Sequence, residues 1–348
     1  MIKAKKEEVA GLEARRTWVK VPRSSVPNGA SIMGGRFLPA IKNPSTEVEK
    51  AKARFVQQGH MDTDKPFVVH NAPTPRQSST RIVVSTSANE GFRLFLQDVN
   101  QAYLQSRDAL TKPIYLKPGP KDAQFFDLDD MHVLRLKRPL YGYCEAGNYW
   151  NATARAHVKD DLQMTPLTGD QALFIKGDHQ GVQGLLNLCT DDFLHGGNAT
   201  FQALTQRTLE TFAAKPRTWD SFDFAGVAIK TESDPERILS LGQERYVEAA
   251  AMRPLDTSFE TFVSARATLA WVAHSRPDLC CAINRAAQVT STSFCNRHIQ
   301  EFNKAVKYAK ATKELGLSYS HLDKDSLHLR VYADASFASN DDLSSQLG

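Results

Sequence analysis

Apolar and polar residues follow two rhythms along this chain, and the switch between them divides it. Lys5–Arg16 and Ser79–Glu90 carry apolar groups at helical spacing and predict two short helices. Lys52–Val56, Phe92–Val99, Pro113–Leu116 and Met131–Leu136 alternate or run apolar over strand lengths, and each predicts a strand. Glu145–Leu162 returns to helical spacing, with Trp150 and Val158 on one side. In Gln183–Leu194 two apolar runs are interrupted by Thr190, Asp191 and Asp192, which predicts a hairpin with acids at its tip. Thr200–Thr211 predicts a helix and Phe222–Ile229 a strand. Beyond them Gln243–Met252, Ala265–Val289 and Gln300–Leu315 read as amphipathic helices, and Leu327–Tyr332 as a strand running into Asp334. The remainder of residues 1–50 reads as loops rich in Pro, Ser and Gly, and Asp62–Ser78 as irregular. No internal repeat is present, which sets solenoids aside. The expectation is an α+β chain in three parts: a mixed unit over 1–230, a helical unit over 231–325, and the start of something else over 326–348.

Composition adds little to this, and charge placement adds more. A chain of 348 residues, 41% hydrophobic and 24% charged, reads as an ordinary soluble globular protein. The net charge is +4, yet residues 1–60 hold twelve Lys and Arg against five Glu, so the rest is slightly acidic. A basic end on a neutral body suits a polyanion such as nucleic acid or a triphosphate; a solvated charged surface explains it as well. Cys144, Cys189, Cys280, Cys281 and Cys295 are odd in number and lack zinc-finger spacing. They point to a reduced, intracellular protein with apolar thiols. No apolar run follows the first lysines, and no uncharged stretch reaches the roughly 18 residues a bilayer span needs. A secretory signal and a membrane partner are therefore not expected.

Chemistry concentrates on three acids. Asp98 ends one predicted strand, and Asp191–Asp192 form the tip of the predicted hairpin. Carboxylates at strand ends and turns can converge near solvent and suit hard divalent cations, with phosphates and water completing the shell. Two such ions about 4 Å apart can activate a hydroxyl and stabilise a departing pyrophosphate. Two adjacent acids inside the apolar run Leu188–Leu194 are costly without a cation. Taken alone, the pair reads more simply as a polar turn.

Further segments stand in order around these acids. They are Lys52-Ala-Arg-Phe-Val-Gln-Gln-Gly59, Asp98-Val-Asn-Gln-Ala-Tyr-Leu104, Leu140-Tyr-Gly142 with Ala146 and Trp150, and Asp170 with Leu173-Phe174. After the Asp191–Asp192 tip come Phe224-Ala-Gly-Val-Ala-Ile229, Ser275-Arg-Pro-Asp278 and Tyr332-Ala-Asp-Ala-Ser-Phe-Ala338. Together they resemble the copia-type reverse transcriptases of LTR retrotransposons, over nearly the whole chain. The resemblance implies a right-hand polymerase: fingers and palm with an antiparallel sheet over 1–230, a helical thumb over 231–325, and a truncated ribonuclease H start over 326–348. It implies RNA-directed DNA synthesis onto a primer 3′-OH, with two Mg²⁺ ions (or Mn²⁺ as an alternative) held by Asp98, Asp191 and Asp192. Arg54, with Lys52 nearby, would contact the incoming triphosphate, since a planar guanidinium donates two bonds to phosphate oxygens.

By the same resemblance Tyr103 would be the steric gate against a ribose 2′-OH; a core aromatic is its other reading. Lys215 would sit where a lysine protonates pyrophosphate, or be an exposed lysine. Arg285, Lys304 and Lys307 would gather template–primer backbone through sequence-independent, salt-sensitive contacts. Implied partners are an RNA or DNA template–primer, dNTPs and other parts of a retrotransposon polyprotein. The implied location is intracellular, in a cytoplasmic particle or the nucleus. The pattern breaks in places. Glu145 stands where the family has Gln, against the nascent base pair, and Cys189-Thr190 replace the Tyr-Val before the acids. Asp334 would be the first ribonuclease H carboxylate, and a single acid there is expected not to degrade RNA. The alternative to a polymerase is a decayed remnant that retains only nucleic-acid binding; a two-metal nuclease of another class is a third reading, which the Asp98-to-Tyr103 spacing opposes.

Overall fold

The computed structural model describes residues 1–42, 50–69, 71–232, 238–249, 258–323, 328, 335–336 and 346–347. Helix α1 (Ile2–Ala14) leads into strands β1 (Trp18–Pro22), β2 (Ile32–Lys42) and β3 (Lys50–Gln57). Helix α2 (Gln77–Asn89) and strand β4 (Arg93–Asp98) follow, then β5 (Tyr115–Pro118), the single turn α3 (Pro120–Ala123) and β6 (His132–Leu136). Helix α4 (Ala146–Ala156) runs into a π-helical turn, His157–Asp161.

Next come β7 (Thr165–Leu167), β8 (Asp170–Asp178), β9 (Gly181–Cys189) and β10 (Asp192–Gly197). Two short helices, α5 (Ala199–Leu204) and α6 (Arg207–Thr211), precede β11 (Thr218–Trp219), β12 (Ser221–Phe224), β13 (Val227–Glu232) and β14 (Ile238–Gly242). The helical part holds α7 (Glu244–Ala249), α8 (Phe259–Val272), α9 (Cys280–Gln288) and α10 (Asn296–Ala311), and β15 (Leu317–Tyr319) returns to a sheet.

Three sheets organise this. The first has the order β1-β6-β5-β2-β3 and closes over Trp18, Phe37, Phe55 and Phe126, whose rings meet at centroid distances of 4.5 to 6.0 Å. The second, β11-β4-β10-β9-β8-β7, is apolar on both faces. Val83 and Val84 of α2 cover one face through Leu94 and Leu194; Trp150 and Ala154 of α4, with Val158 of the π-helical turn, cover the other through Phe193 and Leu186. Two-sided burial explains why Phe193 and Leu194 are both fully enclosed although they neighbour two acids. The third sheet, β12-β13-β14-β15, shares the α2-side core, and the helices α7 to α10 pack around Phe262, Leu269 and Phe302.

Several expectations need correction. Strand β2 is eleven residues long where loops were expected, because Gly34, Gly35 and Pro39 mask its alternation; a Cβ at Gly35 would fall 2.4 Å from the Phe55 ring that packs there. Phe222–Ile229 is a hairpin, since Ala225 and Gly226 both take positive φ (48° and 82°) in the turn between β12 and β13. Ala265–Val289 is broken between α8 and α9, where Pro277 ends helical pairing. Thr200–Thr211 likewise divides in two. Cys280, Cys281 and Cys295 are exposed, contrary to the expected apolar setting, and all five thiols are free. Asp334 and most of Leu327–Tyr332 lie outside the described residues. No helix among the described residues is long and apolar enough to cross a membrane.

Candidate active site

The sheet register brings the predicted acids together. Strands β4 and β10 pair antiparallel with Asp98 directly opposite Asp192, which puts their Cβ atoms roughly 5 Å apart. Strands β9 and β10 pair Cys189 with Asp192, leaving Thr190 and Asp191 as a two-residue turn. The Asp191 carbonyl accepts from the Val99 amide at 2.9 Å, tying that turn to the end of β4. Thr190 takes φ +54°, an uncommon state for a β-branched residue. Its carbonyl accepts from the indole Nε1 of Trp150 at 2.5 Å, so a buried ring on α4 holds the turn from below. Thr190 is therefore accommodated in the turn at a conformational cost.

All three acids are half-buried. Burial, then the charges of Asp191 and Asp98, push the Asp192 carboxyl up to about 7. Burial first, and Asp98 with it, raises Asp191 as well, against the pull of Arg54 and Lys215. Lys215 donates from Nζ to Asp98 Oδ2, and its backbone amide donates to the Asp98 carbonyl at 2.8 Å. Among the described residues, no three His, Cys, Asp or Glu side chains are aimed to hold a metal ion between them as they stand. The donor chemistry fits a divalent cation all the same. It offers oxygens only, with like charges crowded together and a cation, the Lys215 ammonium, already resting on one of them.

A basic and aromatic wall faces the acids. Lys52 and Arg54 lie two positions apart on β3, so they share one face, opposite Ala40 and Leu38 of β2. The Arg54 guanidinium sits 4.5 Å from the centre of the Tyr141 ring, and Tyr141 lies 5.3 Å from the ring of Tyr103. Burial raises the Tyr103 hydroxyl, with the Asp191 charge adding to it. Tyr141, pushed up to about 12 mainly by burial, stays a neutral phenol. Glu145 precedes α4, where its side chain accepts from the Tyr143 hydroxyl. Tyr141 and Trp150 were legible only as letters of their motifs; the stacking and the turn-holding bond had no signal in the sequence.

Two motif glycines are explained by one crossing. Gln57 donates its amide to the Tyr141 carbonyl at 2.7 Å, and the backbones of 57–59 and 140–144 run in contact. A Cβ at Gly59 would fall 2.1 Å from the Gly142 carbonyl, and one at Gly142 (φ +86°) would fall 2.0 Å from the Gln57 carbonyl. The crossing fixes Arg54 and Tyr141 to each other.

Ser275-Arg-Pro-Asp278 lies away from the acids and is structural. Arg276, 2% exposed, forks onto Asp278 (2.9 and 2.7 Å) and donates to the Thr312 carbonyl and hydroxyl (2.7 and 2.8 Å). Asp170 likewise serves the scaffold, accepting from the amides of Arg76 and Ala172 at 2.8 and 2.9 Å. Arg285, Lys304 and Lys307 are exposed on α9 and α10, and the first two line one groove with His298.

Comparison with known proteins places the chain in a family. Residues 16–248 match the family described as reverse transcriptase (RNA-dependent DNA polymerase). The chain is 25% identical to the retrovirus-related Pol polyprotein from transposon RE2 of Arabidopsis thaliana, and 24% identical to that from transposon RE1. Each alignment covers 96% of this chain and 24% of the relative, so the chain spans about a quarter of the length of those polyproteins. Among solved structures, a foamy viral protease–reverse transcriptase in complex with double-stranded DNA superposes with a TM-score of 0.52 at 11% identity, over 89% of this chain and 48% of that one. That likeness shows a right-hand polymerase fold. With the family match covering most of its length, the chain belongs to the reverse transcriptase (RNA-dependent DNA polymerase) family, in the copia-type line that its motifs resemble.

Proposed function

We propose that this chain is the RNA-directed DNA polymerase of a copia-type retrotransposon polyprotein and adds dNTPs to a primer 3′-OH on an RNA or DNA template. One observation carries the reading: Asp98 and Asp192 are cross-strand partners, and Asp191 shares with Thr190 the turn that leads into Asp192. Asp98, Asp191 and Asp192 would hold two Mg²⁺ ions, with Mn²⁺ as an alternative. When bound, such ions supply positive charge for the reacting phosphate and activate the primer hydroxyl. Everything else falls to the chain's own side chains.

Arg54, held 4.5 Å from the centre of the Tyr141 ring, would present its planar fork to a triphosphate, and Lys52 adds charge on the same face. Tyr103, braced by Tyr141, would exclude a ribose 2′-OH. Lys215 would deliver a proton to the leaving pyrophosphate. Its contact with Asp98 makes it compete with a divalent ion for that carboxylate. Glu145, held by Tyr143, would lie beside the nucleotide with its charge directed into that bond. In this scheme 1–230 form fingers and palm, 231–325 a thumb that grips backbone through Arg285, Lys304 and Lys307, and 326–348, with Asp334, the start of a ribonuclease H unit.

Primer extension on poly(rA)/oligo(dT) with Mg²⁺ or Mn²⁺ tests the reading. Asp191→Asn is expected to abolish incorporation while leaving duplex binding intact, because it removes a metal ligand and no phosphate contact. Equal activity of variant and parent would refute the assignment. Tyr103→Val is expected to admit ribonucleotides; unchanged discrimination would discard the gate. No extension by the parent, with salt-dependent hybrid binding retained, would favour a binding remnant, the reading that Glu145 and Cys189 support by their departure from the family pattern.

A further inference from the structure

Helix α1 ends before residue 16, where the family match begins, yet it touches both halves of the candidate site. Its apolar side, Ala4, Val9 and Leu12, is buried in the first core. Lys5 pairs with Asp122 at 2.7 Å and anchors the start of the helix. Glu8 Oε1 accepts from the backbone amide of Phe55 at 3.1 Å, on the outer edge of β3 between Arg54 and Val56. Lys52 and Arg54 lie within electrostatic reach of the same carboxylate. Seven positions on, two helical turns and roughly 10 Å away on the same side, Arg15 Nε donates to Gln101 Oε1 at 2.7 Å. Gln101 is no ordinary turn residue. It takes φ +50°, and its carbonyl accepts from the Leu104 amide at 3.0 Å, closing the turn that carries Tyr103.

We propose that α1 is a positioning strap, with Glu8 gripping β3 and Arg15 gripping the Gln101 turn, so that the helix fixes how far Arg54 stands from Tyr103. Glu8 and Arg15 touch no substrate; they are positioning residues acting through Phe55 and Gln101. A nucleotide whose triphosphate meets Arg54 and whose sugar meets Tyr103 has its fit set by that span. The activity side of this inference rests on the polymerase reading above.

The test is a double-mutant cycle on Arg15 and Gln101 in the full chain. Arg15→Ala is expected to raise the KM for dNTP about fivefold, equivalent to about 1 kcal/mol, and to lower discrimination against ribonucleotides. The kcat at saturating dNTP and the Kd for primer–template should stay within about twofold, and Arg15→Lys should recover part of the loss. Gln101→Ala should reproduce the effect, and the double variant should add nothing to either single one. Additive effects, or a parental KM and discrimination in Arg15→Ala, would overturn the strap.

Hydrogen exchange supplies a readout independent of catalysis. Arg15→Ala should speed exchange of the Leu104 amide about fivefold and leave the β9 amides at 185–188 unchanged. Unaltered Leu104 protection overturns the strap even if the parent extends primers. Faster exchange in a parent that extends none upholds the strap and defeats the polymerase reading. Should Arg15→Ala fail to fold, Gln101→Ala alone carries the same two readouts.

Discussion

Burial first, and then the charges of Asp191 beside it and Asp98 opposite, hold the Asp192 carboxyl near 7. The folded chain therefore binds that proton more tightly than the unfolded chain, in which an aspartate titrates near 4. The stabilisation is fully present below about pH 4 and is lost as pH rises through about 7. Without divalent ions, Asp192→Asn is expected to be more stable than the parent at pH 8, by about 1–2 kcal/mol after solvent screening, and to match it at pH 4. Thermal melts at the two values check this; equal melting at pH 8 would mean the turn bears no electrostatic cost. Trp150 supports a second prediction. Trp150→Phe keeps a ring but removes the donor to Thr190, and should lose about 1–2 kcal/mol, read by urea unfolding. Thr190→Gly in that background should recover part of it, since glycine takes φ +54° freely. Nothing in the letters Thr-Asp-Asp announces this. A threonine in left-handed backbone is dictated by register and by a ring forty residues upstream.

At the scale of elements, the crossing of 57–59 with 140–144 has no side-chain substitute. Gly142→Ala is expected to cost about 3 kcal/mol in urea unfolding, because its Cβ meets the Gln57 carbonyl and its φ of +86° disfavours any side chain. A variant as stable as the parent would show that the two segments can part. Helices α1, α2, α4 and α10 and strands β3, β4, β6, β9 and β10 were readable from period alone, because each buries one continuous stripe or both faces. Misreadings fell where a local signal was overruled. Packing of Phe55 over Gly35 keeps β2 extended through glycines, and Ala225-Gly226 turned a presumed strand into a hairpin. Pro277 was in plain view; the apolar spacing on both sides of it concealed the break. The acids were legible because strand ends and hairpin tips leave a pattern, whereas Lys215 on Asp98 is a contact across 117 positions that leaves none.

Across the whole molecule, charge is spent on joining parts as much as on the site. Arg276 is enclosed where α8 gives way to α9 and spans to Thr312 beyond α10, so one guanidinium closes the helical unit. Arg276→Ala should cost about 3 kcal/mol, since it leaves Asp278 and the Thr312 carbonyl without their partner. A loss under 1 kcal/mol in chemical denaturation would reassign this motif from scaffold to surface. Strand β4, finally, lies inside its sheet, and its hydrogen-bonding neighbours are β10 and β11. During synthesis Asp98 thus emerges on a strand with no mate until β10, residues 192–197, has been made, and the second neighbour, β11, follows only at Trp219. Pairing over such long sequence separations is slow and leaves an unpaired strand exposed meanwhile. The nascent protein accordingly acquires its acidic centre late, and ribosomes stalled before Trp219 would carry Asp98, Asp191 and Asp192 on a sheet that still lacks its β11 edge.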